Sequence, residues 1–107
     1  MKNLTATAAA ITLAGMATAT TALAADGKGT YDDACASCHA KGVAGSPKVG
    51  DKEAWSERVD KDTDTLYKHA IEGFEGDDGV MPAKGGYSNL SDDEVRAAVD
   101  YMVEESR

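Results

Sequence analysis

The clearest pattern of apolar and polar positions lies toward the end of the chain. Apolar side chains recur there at the i, i+3, i+4, i+7 and i+8 spacing of one helix face, namely Val95, Ala98, Val99, Met102 and Val103. The run Ser91-Asp92-Asp93-Glu94 precedes them and fits a capping box, with acidic residues at the positive end of the helix dipole. The sequence therefore predicts a helix from Ser91 to Val103 that buries one apolar face.

Weaker patterns predict three further helices. These are Lys28–His39, a short helix over Asp51–Val59 that presents Trp55, and a helix that begins at Asp62 or Thr63 and ends at Glu72, before Gly73. The stripe of that last helix consists of Leu66, Tyr67, Ala70, Ile71 and Phe74. We therefore expect about four helices.

The segments between these helices are rich in glycine. Lys41–Asp51 and Gly76–Gly86 are therefore predicted to be loops. No alternating run of β-branched residues is long enough to predict a sheet. The patterning as a whole indicates an all-α domain.

Residues 1–25 have the order of a secretory signal peptide. A positive charge at Lys2 is followed by an Ala/Thr-rich apolar stretch and by the small-residue run Ala22-Leu23-Ala24. We expect cleavage after Ala24 or Ala25, which leaves residues 26–107 as one domain in the periplasm. An uncleaved membrane anchor is the alternative, because the stretch is near the spanning length, although Ala and Thr are only weakly apolar.

The expected domain is small and acidic. Large apolar residues are sparse after the signal, and so small a core stabilises a fold by only about 3–5 kcal/mol, so a disulfide, a metal or a cofactor is usually needed. The net charge of −8 becomes −9 once Lys2 is removed. That charge argues against nucleic-acid binding, which needs a basic surface. It either steers the protein toward a basic partner or only keeps it soluble.

The run Cys35-Ala36-Ser37-Cys38-His39 carries the candidate chemistry. It contains the only two cysteines of the chain, and C-x-x-C-H is typical of c-type haem attachment. Residues three apart on a helix lie on nearly the same face. Both thiols can therefore add to the two vinyl groups at one porphyrin edge, and His39 follows as the proximal iron ligand. The sequence predicts one haem c with its iron, bound covalently through Cys35 and Cys38.

Other uses of two cysteines fit less well. A thioredoxin-like pair needs a β-α-β scaffold, and no strand-rich pattern precedes Cys35. A disulfide between Cys35 and Cys38 closes too short a loop to hold distant segments together. A zinc site needs four ligands, and the available set would be the two cysteines with His39 and His69.

Met81, Met102 and His69 are the candidates for the sixth position on the iron. Met81 precedes Pro82, which disfavours helix for the residue before it, so an extended Met81 can reach the iron opposite His39. Met102 lies on the apolar face of the last helix and is better explained as core. His69 lies off the apolar stripe and is predicted to be a solvated surface histidine, with His39/His69 ligation as an alternative. We predict His39 and Met81 as the metal ligands.

Several segments occur in an order that resembles one family: Tyr31 with Cys35–His39, the run Gly42–Asp51, Trp55, Met81–Gly86 and the helix Ser91–Val103. Together they resemble class I bacterial cytochromes c, and most of all the cytochrome c5 type, over almost all of residues 26–107. The resemblance implies a small all-α fold, with about four helices and loops wrapped around one covalently bound haem.

Carried over by position, the resemblance also implies roles for individual residues. Cys35 and Cys38 would form the thioethers, and His39 and Met81 would ligate the iron. The Pro47 carbonyl would accept a hydrogen bond from the second ring nitrogen of His39, a contact that orients the ligand. The crossing of the first and last helices would use Gly27, Tyr31 and Tyr101.

The chain departs from the narrower c5 pattern after the Met81 loop. Relatives of that type often carry a cysteine pair there, whereas this chain has Tyr87 and Leu90. We therefore expect apolar packing to hold this loop.

These features predict a monohaem electron carrier that is not an enzyme. Its partners would be redox proteins of a respiratory chain, namely a donor reductase and an acceptor oxidase or reductase. The carrier itself is expected to be a monomer that is soluble or loosely associated with the membrane. Electrons would pass through a haem edge ringed by residues such as Ala44 and Val49. Two alternatives stay open: a catalytic or sensing haem protein with an open sixth site, and a subunit that transfers electrons only within one complex.

Overall fold

The computed structural model describes Gly15 and residues 25–107. The predicted signal peptide and its cleavage site lie almost entirely outside these residues. The described chain begins with a helical segment, residues 27–39, in three consecutive parts: α1 (Gly27–Thr30), a π-helical turn (Tyr31–Cys35) and α2 (Ala36–His39). The Asp26 carboxylate caps this segment by accepting a hydrogen bond from the Gly29 N–H.

Three further helices follow, each with a polar cap at its start. They are α3 (Lys52–Val59), α4 (Thr63–Glu72) and α5 (Asp92–Ser106). Asp51 caps α3, and Asp62 caps α4. At α5, Ser91 and Glu94 form the reciprocal hydrogen bonds of a capping box, as the sequence predicts. The four helical segments confirm the all-α class.

A short β-hairpin interrupts the segment that was predicted to be a loop. Strands β1 (Phe74–Gly76) and β2 (Gly79–Met81) are antiparallel, with Phe74 opposite Met81. The prediction of a loop over 76–86 is wrong for this part. Each strand has only three residues and no alternation of buried and exposed positions, so the period-2 signal of a half-buried strand is missing. A 3₁₀ turn (Ala83–Gly86) follows the hairpin.

The first and last helices cross at very short range. A side-chain carbon added at Gly27 would overlap the backbone carbonyl of Ala97 in α5, so only glycine permits this approach. Next to it, the rings of Tyr31 and Tyr101 pack with their centroids 5.2 Å apart. The roles that the family resemblance implies for Gly27, Tyr31 and Tyr101 therefore match the packing.

Helix α5 supplies most of the core. All the apolar residues of its predicted stripe are buried, and the cluster is completed by Tyr31, Trp55 and Ala70. Burial of such a face against the other helices is what stabilises an amphipathic helix of this length. Within residues 25–107, no helix combines the length and apolarity that crossing a membrane requires.

Candidate functional site

One cavity of about 290 Å³ collects most of the predicted site residues. It lies between α3, α4, α5, the hairpin and the loop after α2. Its lining includes His39, Pro47, Trp55, Leu66, Met81 and Met102. A largely apolar cavity with a few converging polar groups is the usual form of a cofactor site.

His39 is fixed at the edge of this cavity by a backbone hydrogen bond. Its Nδ1 lies 3.0 Å from the carbonyl oxygen of Pro47. Because a carbonyl can only accept, Nδ1 carries the hydrogen, and in the neutral ring this leaves the lone pair on Nε2. Burial lowers the pKa of His39, although the bond to Pro47 acts in the opposite direction. Burial therefore favours the neutral imidazole, which is the form that binds a metal.

The loop that follows His39 is tied down by several hydrogen bonds to distant groups. The indole N–H of Trp55 donates to the Lys48 carbonyl at 2.9 Å, and the Val49 N–H donates to the His39 carbonyl at 2.9 Å. The Gly50 N–H donates to the hydroxyl of Ser106 in α5, also at 2.9 Å. The Pro47 carbonyl is thereby held where His39 needs it.

The two cysteines lie on the same helical segment as His39, but their side chains do not line the cavity. Cys35 is half-buried, Cys38 is exposed, and no disulfide joins them. Cys35 ends the π-helical turn, where the backbone is locally wider than in an α-helix, as is frequent at functional sites. Burial raises the pKa of the Cys35 thiol. Both sulfurs therefore lie beside the cavity rather than inside it.

Met81 reaches the cavity from the hairpin. It is the last residue of β2, extended as its position before Pro82 predicts, and half-buried. The hairpin turn packs against the loop after α2, where a side chain at Gly79 would overlap the Ala44 carbonyl. This contact closes one side of the cavity.

The segment between Met81 and α5 is held in part by a lysine. The Lys84 ammonium donates to the Leu90 carbonyl at 2.6 Å and lies 3.1 Å from a carboxylate oxygen of Asp92. Leu90 packs against the core, but Tyr87 is exposed. Leu90 thus provides the expected apolar packing and Tyr87 does not, and the charge-assisted hydrogen bond of Lys84 contributes as well.

His69 was predicted to be a solvated surface residue, and this prediction is wrong. The ring is half-buried, lines the cavity and stacks on Phe74 with the centroids 4.2 Å apart. The signal was present in the sequence, because Leu66, His69 and Ala70 stand at i, i+3 and i+4 and all three line the cavity.

Two basic residues of the lining were also missed. Arg58 and Lys61 stand at the C-terminal end of α3 and beyond it. The Arg58 guanidinium donates to the Ala54 carbonyl at 2.5 Å and lies 3.4 Å from the Asp78 carboxylate. Helix α3 is polar on most sides, so the spacing of its charged residues does not indicate which of them face the cavity.

The donor set fits haem iron better than zinc. Among the residues that the structure describes, no three His, Cys, Asp or Glu side chains come together as a metal site. Instead, the imidazole of His39 and the thioether of Met81 line one cavity, and this is the pair of ligands typical of cytochromes c. This arrangement disfavours the zinc alternative.

Comparisons with known proteins show which family the chain resembles. Residues 22–102 match the family described as cytochrome C oxidase, cbb3-type, subunit III. A cytochrome c-555 of Chlorobaculum tepidum is 51% identical over 84 residues, which cover 78% of each chain. A cytochrome c5 of Ectopseudomonas mendocina is 43% identical over 70 residues, 64% of this chain and 76% of the relative.

Solved structures give the same result. A chain from a crystal structure of an electron transfer complex of nitrite reductase with cytochrome c superimposes with a TM-score of 0.67 at 38% identity. A mono-heme ferrocytochrome c from Shewanella putrefaciens gives a TM-score of 0.61 at 32% identity. Each comparison covers 77% of this chain and 95% of the other.

Proposed function

The chain belongs to the small monohaem class I c-type cytochromes, and we propose that it is a periplasmic shuttle for single electrons with His39 and Met81 as its iron ligands. As a member of this family it carries one covalent haem c and is an electron carrier, not an enzyme. The observation that carries the proposal is the common cavity of His39 and Met81, with the Nδ1 of His39 already engaged by Pro47.

Attachment is proposed at Cys35 and Cys38. Both lie in the helical segment that also delivers His39, so the thioethers and the proximal ligand would come from one rigid element. Covalent attachment keeps the cofactor in a small protein whose own core is limited.

The bound haem supplies a one-electron couple between Fe(III) and Fe(II), and the residues around it set how easily that couple operates. A thioether ligand at Met81 favours Fe(II) and raises the reduction potential relative to a second imidazole. Trp55 and Val99, both buried, and Leu66 exclude water from the lining. With His39 and Met81 both holding the iron, oxidation and reduction would require little rearrangement.

Export to the periplasm rests on the signal-like order of residues 1–25. The partners are proposed to be redox proteins of a respiratory chain. The electron transfer complex of nitrite reductase with cytochrome c, which contains a structural neighbour, supports a redox protein as the partner. If the charge of −9 steers docking, reversal of surface acids should slow reaction with a basic partner, and more strongly at low ionic strength.

The visible and near-infrared absorption of the oxidised protein tests the ligand assignment. A sulfur-to-iron charge-transfer band in the wild type that disappears in Met81→Ala would support ligation by His39 and Met81. A haem spectrum without that band in the wild type would remove Met81 as a ligand. A chain that binds no haem in cells able to attach it would overturn the proposal.

A further inference from the structure

A second imidazole lines the cavity beside the proposed methionine ligand. The chain has only two histidines, His39 and His69, and both line this cavity. His69 lies in α4, three residues after Leu66 and one before Ala70, so the cavity-facing side of the helix presents it. A half-buried histidine in an apolar lining is not explained by electron transfer through Met81 alone.

The surroundings of His69 connect it to Met81. Its ring stacks on Phe74 at a centroid distance of 4.2 Å and an interplanar angle of 26°. Phe74 stands opposite Met81 in the hairpin. A displacement of the hairpin that withdraws the Met81 thioether would therefore also loosen the stack that holds the His69 ring.

We propose that His69 is a reserve sixth ligand, which coordinates the haem iron when the Met81 thioether is absent or displaced. The inference rests on the proposed His39/Met81 ligation. The step is a ligand exchange: the bond from iron to the methionine sulfur breaks, a bond from iron to a neutral imidazole nitrogen forms, and no electron or proton is transferred. Replacement of a thioether by imidazole lowers the reduction potential, so the exchanged form is a poorer electron acceptor.

Other residues near Met81 are less suited to this role. Lys84 is engaged with the Leu90 carbonyl and Asp92, and a protonated ammonium has no lone pair for iron. Met102 lines the cavity, but it is buried in the core face of α5. His69 is half-buried and its ring stacks on Phe74, a contact that can be released without breaking a helix.

The test compares the ferric spectra of holoprotein variants. Met81→Ala should lose the charge-transfer band and yet remain low-spin, with the electron paramagnetic resonance signature of two imidazoles. Met81→Ala/His69→Ala should become high-spin. Carbon monoxide should bind reduced Met81→Ala at least about tenfold more weakly than the double variant, because only molecules with an open sixth position can bind it.

Two controls separate His69 from its competitors. Met81→Ala/Lys84→Ala and Met81→Ala/Met102→Leu should both remain low-spin. If Met81→Ala alone is high-spin, or if either of these changes abolishes the low-spin state while His69→Ala does not, the inference is wrong. The proposed function is judged separately, by the charge-transfer band of the wild type.

A second measurement does not depend on the Met81 variants. Warming the ferric wild type below its unfolding temperature should abolish the charge-transfer band while the haem stays low-spin. In His69→Ala, loss of the band should instead give a high-spin spectrum. The same high-spin product in both proteins would overturn the inference.

Discussion

The two walls of the cavity are built in different ways. We call residues 27–50 the His39 wall. Its backbone is anchored twice, by the close approach of Gly27 to Ala97 and by the hydrogen bonds of the loop after His39, which involve Pro47, Lys48, Val49 and Gly50. The Met81 wall, residues 63–91, consists of α4, a hairpin of three-residue strands and a segment tied by one lysine.

The difference indicates which side of the cavity can move. Backbone contacts through a close helix crossing leave few alternative arrangements, whereas elements with few buried contacts are the first to open locally. Most residues of the hairpin are exposed. We therefore expect changes in the His39 wall to act on global stability, and changes in the Met81 wall to act mainly on the sixth ligand.

The largest effect is expected at the helix crossing. In Gly27→Ala the new methyl group overlaps the Ala97 carbonyl, and overpacking of this kind costs about 1–3 kcal/mol of unfolding free energy. Gly29→Ala is the comparison variant. Its methyl group meets the carboxylate of Asp26, the end of a side chain that can shift at the cost of part of the cap, whereas the Ala97 backbone cannot shift. Denaturant unfolding of both holoproteins measures the difference. Equal stabilities would show that the crossing is not the anchor of this wall.

Trp55→Phe tests the loop below His39. It removes the indole N–H that the Lys48 carbonyl accepts, and the loss of a neutral hydrogen bond costs about 0.5–1.5 kcal/mol, with a further cost for lost packing. We expect lower unfolding free energy with the charge-transfer band retained. Loss of that band without loss of stability would contradict the expectation that changes in the His39 wall act on global stability rather than on the sixth ligand.

Lys84→Ala tests the Met81 wall. Its ammonium is mostly buried and joins the Leu90 carbonyl to Asp92, so removal should cost about 1 kcal/mol. The sharper readout is the displacement of Met81 by added imidazole, which should become faster than in the wild type. Lys84→Arg should restore part of the effect, and Lys68→Ala, at an exposed position, should change neither quantity. An unchanged displacement rate in Lys84→Ala would show that the contacts of Lys84 do not hold Met81 in place.

The smallest effect concerns the contact between α4 and α5. The Tyr67 hydroxyl donates to the Asp100 carboxylate, and this hydrogen bond, together with burial, raises the pKa of Tyr67 to about 12. Because the pKa of folded Tyr67 exceeds the ordinary tyrosine value of about 10, the stabilisation is complete below that pH and is lost as the pH rises toward 12. The stability difference between wild type and Tyr67→Phe should therefore shrink over that range. A constant difference would argue against the bond.

The His39 wall could be predicted from the sequence, and the Met81 wall only in part. Cys35, Cys38 and His39 form a contiguous motif, and the Pro47 partner followed from the family resemblance. On the other wall, Met81 was predicted but its hairpin was not, since short exposed strands lack periodicity. Lys84 was missed because its partners, Leu90 and Asp92, are brought to it by tertiary structure, which leaves no pattern along the chain. His69 was expected at the surface, although its position three residues after Leu66 indicates the side of α4 that faces the cavity.

The crossing of α1 under α5 also bears on the order of folding. It joins the two ends of the described chain, so it is a contact of high sequence separation that cannot form until α5 has been synthesised. Until then Tyr31 has no partner for its ring, and the π-helical turn that ends at Cys35 has no packed neighbour on that side. The late closure leaves the Cys35 side chain, half-buried in the folded chain, reachable while the chain is still open.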